Sequence, residues 1–159
     1  MDELTIARGI HLIGVVLWIG GVAMVTTVLL PVVSRFKSPQ ERVPFFEQVE
    51  KRFAWQARLT TLITGLSGFY MMFRMELWSL LGETGYWWMT AMIAIWFVFT
   101  LMLFVLEPLF LHDWFLEQAA KNPEKTFRRI QTMHWVLLTL SLLTVLGAAA
   151  GSHGGLLFQ

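Results

Sequence analysis

Long runs of apolar residues, separated by short polar links, make up the pattern along the chain. Four of these runs approach the about 20 residues that a helix needs to cross a hydrocarbon core of about 30 Å. They lie at about 9–33, 53–74, 86–112 and 130–152. The pattern predicts an all-α fold, an integral membrane four-helix bundle, with residues 1–159 forming a single transmembrane domain.

Composition narrows the class of protein further. Hydrophobic residues make up 56% of the chain and charged residues 14%, which is typical of a membrane protein. The formal net charge of +1 gives no broad basic surface for nucleic acid. The chain has no cysteine, so thiolate metal sites are excluded and any redox chemistry needs a cofactor. Asp2 and Glu3 stand where a signal peptide carries basic residues, so we expect the first run to be a mature spanning helix.

Lysine and arginine are concentrated in two of the three links. The positive-inside rule places such links in the cytoplasm, so both termini are predicted on the non-cytoplasmic side of a bacterial inner membrane. The opposite side carries only Arg8 and Arg74. Residues 41–52 are predicted to form a short amphipathic helix on the membrane surface. The basic residues of the two links are Arg35, Lys37, Arg42, Lys51 and Arg52, then Lys121, Lys125, Arg128 and Arg129.

The first apolar run contains the motif H-L-I-G-V-V-L-W-I-G-G, which begins at His11. At about 100° per residue, His11, Gly14, Trp18 and Gly21 share one face of the helix. Small residues beside a bulky ring admit either a neighbouring helix or a flat cofactor. A histidine within the membrane is a candidate functional group, and the alternative is that it only forms a hydrogen bond between helices. Gly14 and Trp18 are therefore candidate cofactor-binding residues together with His11.

Arg58, Glu107 and His134 form a second candidate layer. Counting about 1.5 Å per residue from the cytoplasmic helix ends puts the three within about one turn of each other in depth. An arginine in the membrane needs a partner, and Glu107 is the candidate. Their pair is either structural or binds a haem propionate, a quinone head group or a proton path. His112 is a further candidate in this layer, or a residue of the membrane interface.

The same count of depth separates the histidines into two groups. His11 and His153 lie at comparable outer heights, whereas His134 lies near the opposite face, so His11 and His134 are not expected to ligate one metal. Haem iron accepts two histidines or a histidine and a methionine. The predicted metal ligands are therefore His11 with His153 or a methionine, and separately His134. The methionines of the outer half are Met72, Met89 and Met92.

Two motifs resemble the CopD-like integral membrane domain. One is H-x-x-G-x-x-x-W-x-G-G from His11, with Pro31 at the end of the run, and the other is R-F-x-x-x-A-R from Arg52, followed by T-G at Thr64 and Gly65. More distantly, the chain is similar to the haem-binding HemJ family. The resemblance covers the first two helices. It implies a bundle of four or more helices in the bacterial inner membrane, with His11 as a ligand of b-type haem or copper.

Three functions remain open from the sequence. The first is a b-type cytochrome that passes electrons between a membrane quinone and an acceptor, with Arg58 neutralising propionates or a quinone anion. The second is a copper-handling permease in which His11 and nearby methionines relay Cu(I). The third is a non-catalytic small membrane subunit, alone or as a homo-oligomer, whose histidines hold helices together.

Overall fold

The computed structural model describes residues 2–153, apart from the side chain of His112. These residues form an all-helical structure without β-strands. Two stretches of wider π-helix interrupt the α-helices at Val25–Leu29 and Met102–Leu111. The α-helices are α1 (Glu3–Met24), α2 (Leu30–Phe36), α3 (Pro39–Arg74), α4 (Trp87–Leu101), α5 (His112–Lys121) and α6 (Pro123–Ser152).

Three helical stretches are long and apolar enough to cross a membrane. They are Glu3–Phe36, Thr84–Leu111 and Pro123–Ser152, and they correspond to three of the four predicted spans. The predicted span at 53–74 lies inside α3 and is not one of the three. Its apolar content is diluted by two arginines and by hydroxyl residues.

In the second part of α3, from residue 59 to residue 73, the hydroxyl residues face inward and most of the large apolar residues are exposed. Two of these hydroxyls bond to carbonyls of their own helix: Thr60 Oγ1 donates to Gln56 O over 2.9 Å, and Ser67 Oγ donates to Ile63 O over 2.6 Å. A helix of a water-soluble protein has the opposite distribution. The buried residues include Thr60, Thr61, Thr64 and Ser67, and the exposed ones include Leu59, Leu62, Leu66 and Phe73.

Residues 41–52, predicted as a separate surface helix, are instead the continuous first part of α3. The helix begins with a capping box, in which Ser38 N–H donates to Glu41 Oε2 over 3.1 Å. Val43 and Phe46 are 0% and 2% exposed, so this part is anchored in the interior. The prediction of a separate helix was wrong because no helix-breaking residue stands between the amphipathic part and the apolar part.

An apolar cluster joins α2, the start of α3 and the start of α6. Leu30, Val33, Val43, Phe127 and Ile130 form its fully buried centre. The two links that carry most of the lysines and arginines begin and end beside this cluster. The basic residues of both links therefore lie at one end of the molecule.

The other end of the molecule contains the start of α1 and the end of α6. Tyr70, near the end of α3, donates its hydroxyl to Glu3 Oε2 at the start of α1, over 3.0 Å. Gly147, near the end of α6, lies under the ring of Trp87 at the start of α4. Because the link 75–86 joins the end of α3 to the start of α4, both termini of the described chain lie toward this link.

Candidate functional site

The side chain of His11 extends from α1 onto α3. Its Nδ1 lies 2.9 Å from the carbonyl oxygen of Thr64 and 3.2 Å from the hydroxyl of Ser67. A carbonyl oxygen only accepts hydrogen bonds, so Nδ1 carries the proton and Nε2 keeps the lone pair. The ring rests against Gly68, where a Cβ would lie 3.1 Å from the ring carbon Cε1. These contacts orient the ring and leave Nε2 as the nitrogen that can bind a metal.

Side chains of α3 occupy the space beside Gly14 and Gly21, the two glycines on the same face of α1 as His11. A Cβ on Gly14 would lie 2.5 Å from Thr64 Oγ1, and one on Gly21 would overlap the ring of Phe53. Trp18 is 4% exposed and packs edge-to-face against a phenylalanine of α4, with the ring centroids 4.9 Å apart. Of the two roles that the sequence left open for Gly14 and Trp18, the contacts favour helix packing. They leave no slot for a flat cofactor between α1 and α3.

The other two candidate ligands, His134 and His153, bond to their own helix. His134 Nδ1 lies 2.9 Å from Ile130 O, and its ring meets Phe46 edge-to-face. His153 is exposed at the end of α6, and its Nδ1 lies 2.8 Å from Ala149 O. Each of these histidines therefore also keeps its Nε2 lone pair. Unlike His11, neither makes a hydrogen bond to a second helix among the described residues.

No three histidine or carboxylate side chains group as a metal site within the described part of the chain, and the side chain of His112 lies outside it. Haem iron needs only one or two axial ligands from the protein, so a single histidine is enough to hold it. The hydrogen bonds of His11 to α3 are made through Nδ1, and the residue is partly exposed. His11 therefore fits an axial ligand. Of the outer methionines, Met72 and Met89 are buried.

Arg58 and Glu107 form an ion pair between α3 and the second π-helical stretch, as the depth count predicted. The Nη2 group of Arg58 donates to Glu107 Oε2, and its Nε donates to Leu103 O over 3.0 Å. In a π-helix the carbonyl of residue 103 faces the nitrogen of residue 108, which here is Pro108 and has no N–H. The guanidinium therefore replaces a backbone donor and pairs with the carboxylate at the same time.

A cavity of about 110 Å³, which we call the inner cavity, lies beside this ion pair. Glu107, His134 and Trp18 were predicted from the sequence as candidates, but the cavity also brings Glu47 and Glu50 into the same site. The helical period of α3 places these two glutamates on the face that continues to Arg58, which is the signal that the sequence interpretation missed. The polar or amphipathic lining residues are Trp18, Glu47, Glu50, Lys51, Glu107 and His134.

Glu50 is the ionisable group of the inner cavity with the largest perturbation. It precedes the apolar part of α3, which begins at residue 53. Burial raises the pKa of Glu50 to about 7, with a further contribution from the negative charges of Glu107 and Glu47. Glu50 therefore changes its charge near neutral pH.

The candidate functional residues thus lie in two separate places. His11 lies toward the end of the molecule that holds the link 75–86, and the inner cavity lies toward the end with the basic links. Function has to be argued from these residues themselves. The chain matches no family model, no curated protein and no solved structure.

Proposed function

We propose that the chain is a b-type haem protein of the bacterial inner membrane that transfers electrons, with membrane quinone as a redox partner. The carrying observation is the 2.9 Å contact between His11 Nδ1 and Thr64 O on another helix. Metal-binding histidines usually donate their second ring N–H to a carbonyl or carboxylate, which fixes the ring and raises its basicity. Haem held by His11 would supply one-electron redox chemistry.

The proposal includes four transmembrane helices with both termini on the non-cytoplasmic side. α3 is counted as the fourth because its surface is apolar: Leu66 and Phe73 are each 71% exposed, while its hydroxyls point inward. In lipid this distribution keeps the hydroxyls away from the hydrocarbon and presents apolar side chains to it. The basic links lie together at the end with the apolar cluster, and the positive-inside rule assigns that end to the cytoplasm. His11 then belongs to the outer half of the membrane.

Three residues of α3 position the imidazole ring of His11. Thr64 and Ser67 hold the proton on Nδ1, and Gly68 leaves room for the ring. Because side chains of α3 occupy the space beside Gly14 and Gly21, haem is not inserted between α1 and α3. The second axial ligand is His153 or a methionine of the outer half, from this chain or from a second copy of it.

A copper-handling permease is the second candidate, in keeping with the resemblance to the CopD-like domain. Met72 lies one helical turn beyond Gly68, against which the His11 ring rests. Imidazole and thioether are both ligands that suit Cu(I). The third candidate, a non-catalytic membrane subunit, requires only the helix contacts of His11.

The variant His11→Ala tests the proposal. We expect purified wild-type protein to show a Soret band and sharp reduced α and β bands, and His11→Ala to lose them because the iron loses its axial nitrogen. The matched control is His134→Ala, since that ring also has its Nδ1 bonded to a carbonyl but lies beside the inner cavity. The control is expected to keep full haem occupancy, as measured by the pyridine haemochrome spectrum.

Other outcomes separate the three candidates. Full haem occupancy in His11→Ala contradicts the assignment of the ligand. A colourless wild-type protein that binds Cu(I), with binding lost in His11→Ala, supports the permease instead. A colourless protein that binds neither leaves the structural subunit. Far-ultraviolet circular dichroism of each variant checks that the helices are intact.

A further inference from the structure

We propose that the inner cavity is a hydrated proton-uptake site, in which Glu50 takes a proton from water at the end of the molecule with the basic links. This site is separate from His11, and the proposal does not depend on haem. Three observations support it: the size of the cavity, a buried donor without an acceptor, and the charges around Glu50.

The size of the cavity suits water. A buried water needs about 10–15 Å³ of cavity volume, and an apolar cavity of about 150 Å³ accommodates benzene. At about 110 Å³, the inner cavity has room for several waters, and it is smaller than the apolar cavity that holds one benzene ring. Its size therefore suits a small cluster of waters.

Trp18 supplies the second observation, because its indole is a donor without an acceptor. The side chain lines the cavity and is only 4% exposed, yet its Nε1 has no hydrogen-bond partner among residues 2–153. Buried N–H groups nearly always have one. Trp96 satisfies this rule, since its Nε1 donates to Thr61 O over 2.9 Å. Water in the cavity would provide the acceptor that Trp18 lacks among the described residues.

The charges around Glu50 supply the third observation. α3 contributes Glu47, Lys51 and Arg58, the segment after α4 contributes Glu107, and α6 contributes His134, whereas the lining residues of α1, α5 and the first π-helical stretch are uncharged. Arg58 is engaged with Glu107 and with a backbone carbonyl. Glu50 is half-buried and therefore within reach of water. Its raised pKa of about 7 makes both of its protonation states accessible at neutral pH.

The step itself is a simple proton transfer. A hydronium ion donates its proton to the Glu50 carboxylate, an O–H bond forms on the carboxyl group, and one water is released. No electron is transferred. The carboxyl group is protonated below its pKa and returns the proton to water above it, so the site fills as pH falls through about 7.

Infrared titration of the full-length protein in lipid vesicles tests the role of Glu50. We expect a carboxylic C=O band that titrates near pH 7 and is absent in Glu50→Gln. In Glu107→Gln the midpoint should move to lower pH, because a negative charge near Glu50 is gone. Glu117→Gln, which removes an exposed carboxylate paired with Lys121, should leave the band unchanged. If Glu50→Gln removes no titrating band, the proposal is wrong.

Exchange of indole hydrogens in D₂O tests the hydration of the cavity. By NMR of ¹⁵N-labelled tryptophan, we expect the Trp18 Nε1–H to exchange at least about tenfold faster than that of Trp88. Trp88 is the matched control because its Nε1 is also buried and has no partner in the described part of the chain, but Trp88 does not line the cavity. Filling the cavity with Ala54→Leu should slow the exchange of Trp18 alone. Equal slow exchange of the two indoles would mean a dry cavity and would overturn the proposal.

Discussion

Glu107→Ala is expected to destabilise the protein by about 3 kcal/mol, the largest effect that we expect from removing a charge. The alanine leaves the Arg58 guanidinium without its carboxylate among the helices. An unpaired arginine in this position either leaves the interior or stays there without a counter-charge, and both outcomes weaken the packing between α3 and the second π-helical stretch. The measurement is the free energy of unfolding in mixed micelles, from titration with sodium dodecyl sulfate.

A second ion pair in the same chain provides the control. Glu3 and Arg74 pair at 3.6 Å, with side chains 69% and 50% exposed, so Glu3→Ala should lower stability by less than about 1 kcal/mol. Equal losses in Glu3→Ala and Glu107→Ala would show that the inner pair contributes no more than a surface pair. Glu107→Gln should lie between the two, because it keeps an acceptor for Arg58 but not the charge.

The double variant Arg58→Met with Glu107→Ala separates the two roles of the guanidinium. Removing both charges should recover part of the stability that Glu107→Ala loses, since no unpaired charge remains. Recovery should be incomplete, because Leu103 O then loses the donor that replaces the missing N–H of Pro108. An orphaned carbonyl of this kind costs about 1–3 kcal/mol.

Arg58 shows which part of the site the sequence could predict. A charge in a membrane helix needs an opposite charge at the same depth, and depth follows from the rise per residue. Glu107 meets this condition, and the structure contains the pair. The second bond of Arg58 was not predicted, because it depends on a π-helical register that opens around Pro108.

The sequence did not predict that Glu47 and Glu50 line the inner cavity. The reason is the composition of α3. Its first part is amphipathic and its second part is apolar, so the change in composition at about residue 53 resembled a boundary between two elements. The helix is continuous, and its unbroken period carries Glu47 and Glu50 toward Glu107. Composition alone does not show whether one helix passes from polar to apolar surroundings or one helix ends and another begins.

What packs against the small residues of α1 and α3 could not be predicted, for a different reason. The motif that begins at His11 indicates that something approaches the backbone closely, but a helix and a flat cofactor make the same demand on Gly14. Which of the two lies there depends on side chains from a distant part of the sequence. Phe53 and Thr64 occupy the space beside the glycines of α1. Gly65 presents the same problem on α3, where the ring of Trp96 fills the space, and this contact leads to the second large expected effect.

Gly65→Ala is expected to destabilise the protein by about 2 kcal/mol, although it adds only one methyl group. Its Cβ would overlap the indole of Trp96 at three ring atoms, so the ring has to move. Movement breaks the 2.9 Å bond from Trp96 Nε1 to Thr61 O and leaves a partly buried donor unpaired. These two losses exceed the about 1 kcal/mol by which alanine favours a helix over glycine. The same titration in mixed micelles measures the change.

Gly20→Ala is the matched control, because it makes the same replacement in a helix where no atom lies within 4 Å of the new Cβ. Only helix propensity acts there, so Gly20→Ala should stabilise the protein by up to about 1 kcal/mol. The two alanine variants are thus expected to change stability in opposite directions. Equal changes would contradict the close contact between α3 and α4. Adding Trp96→Phe to Gly65→Ala removes the overlapping indole ring, so the methyl group should then be tolerated better than beside Trp96.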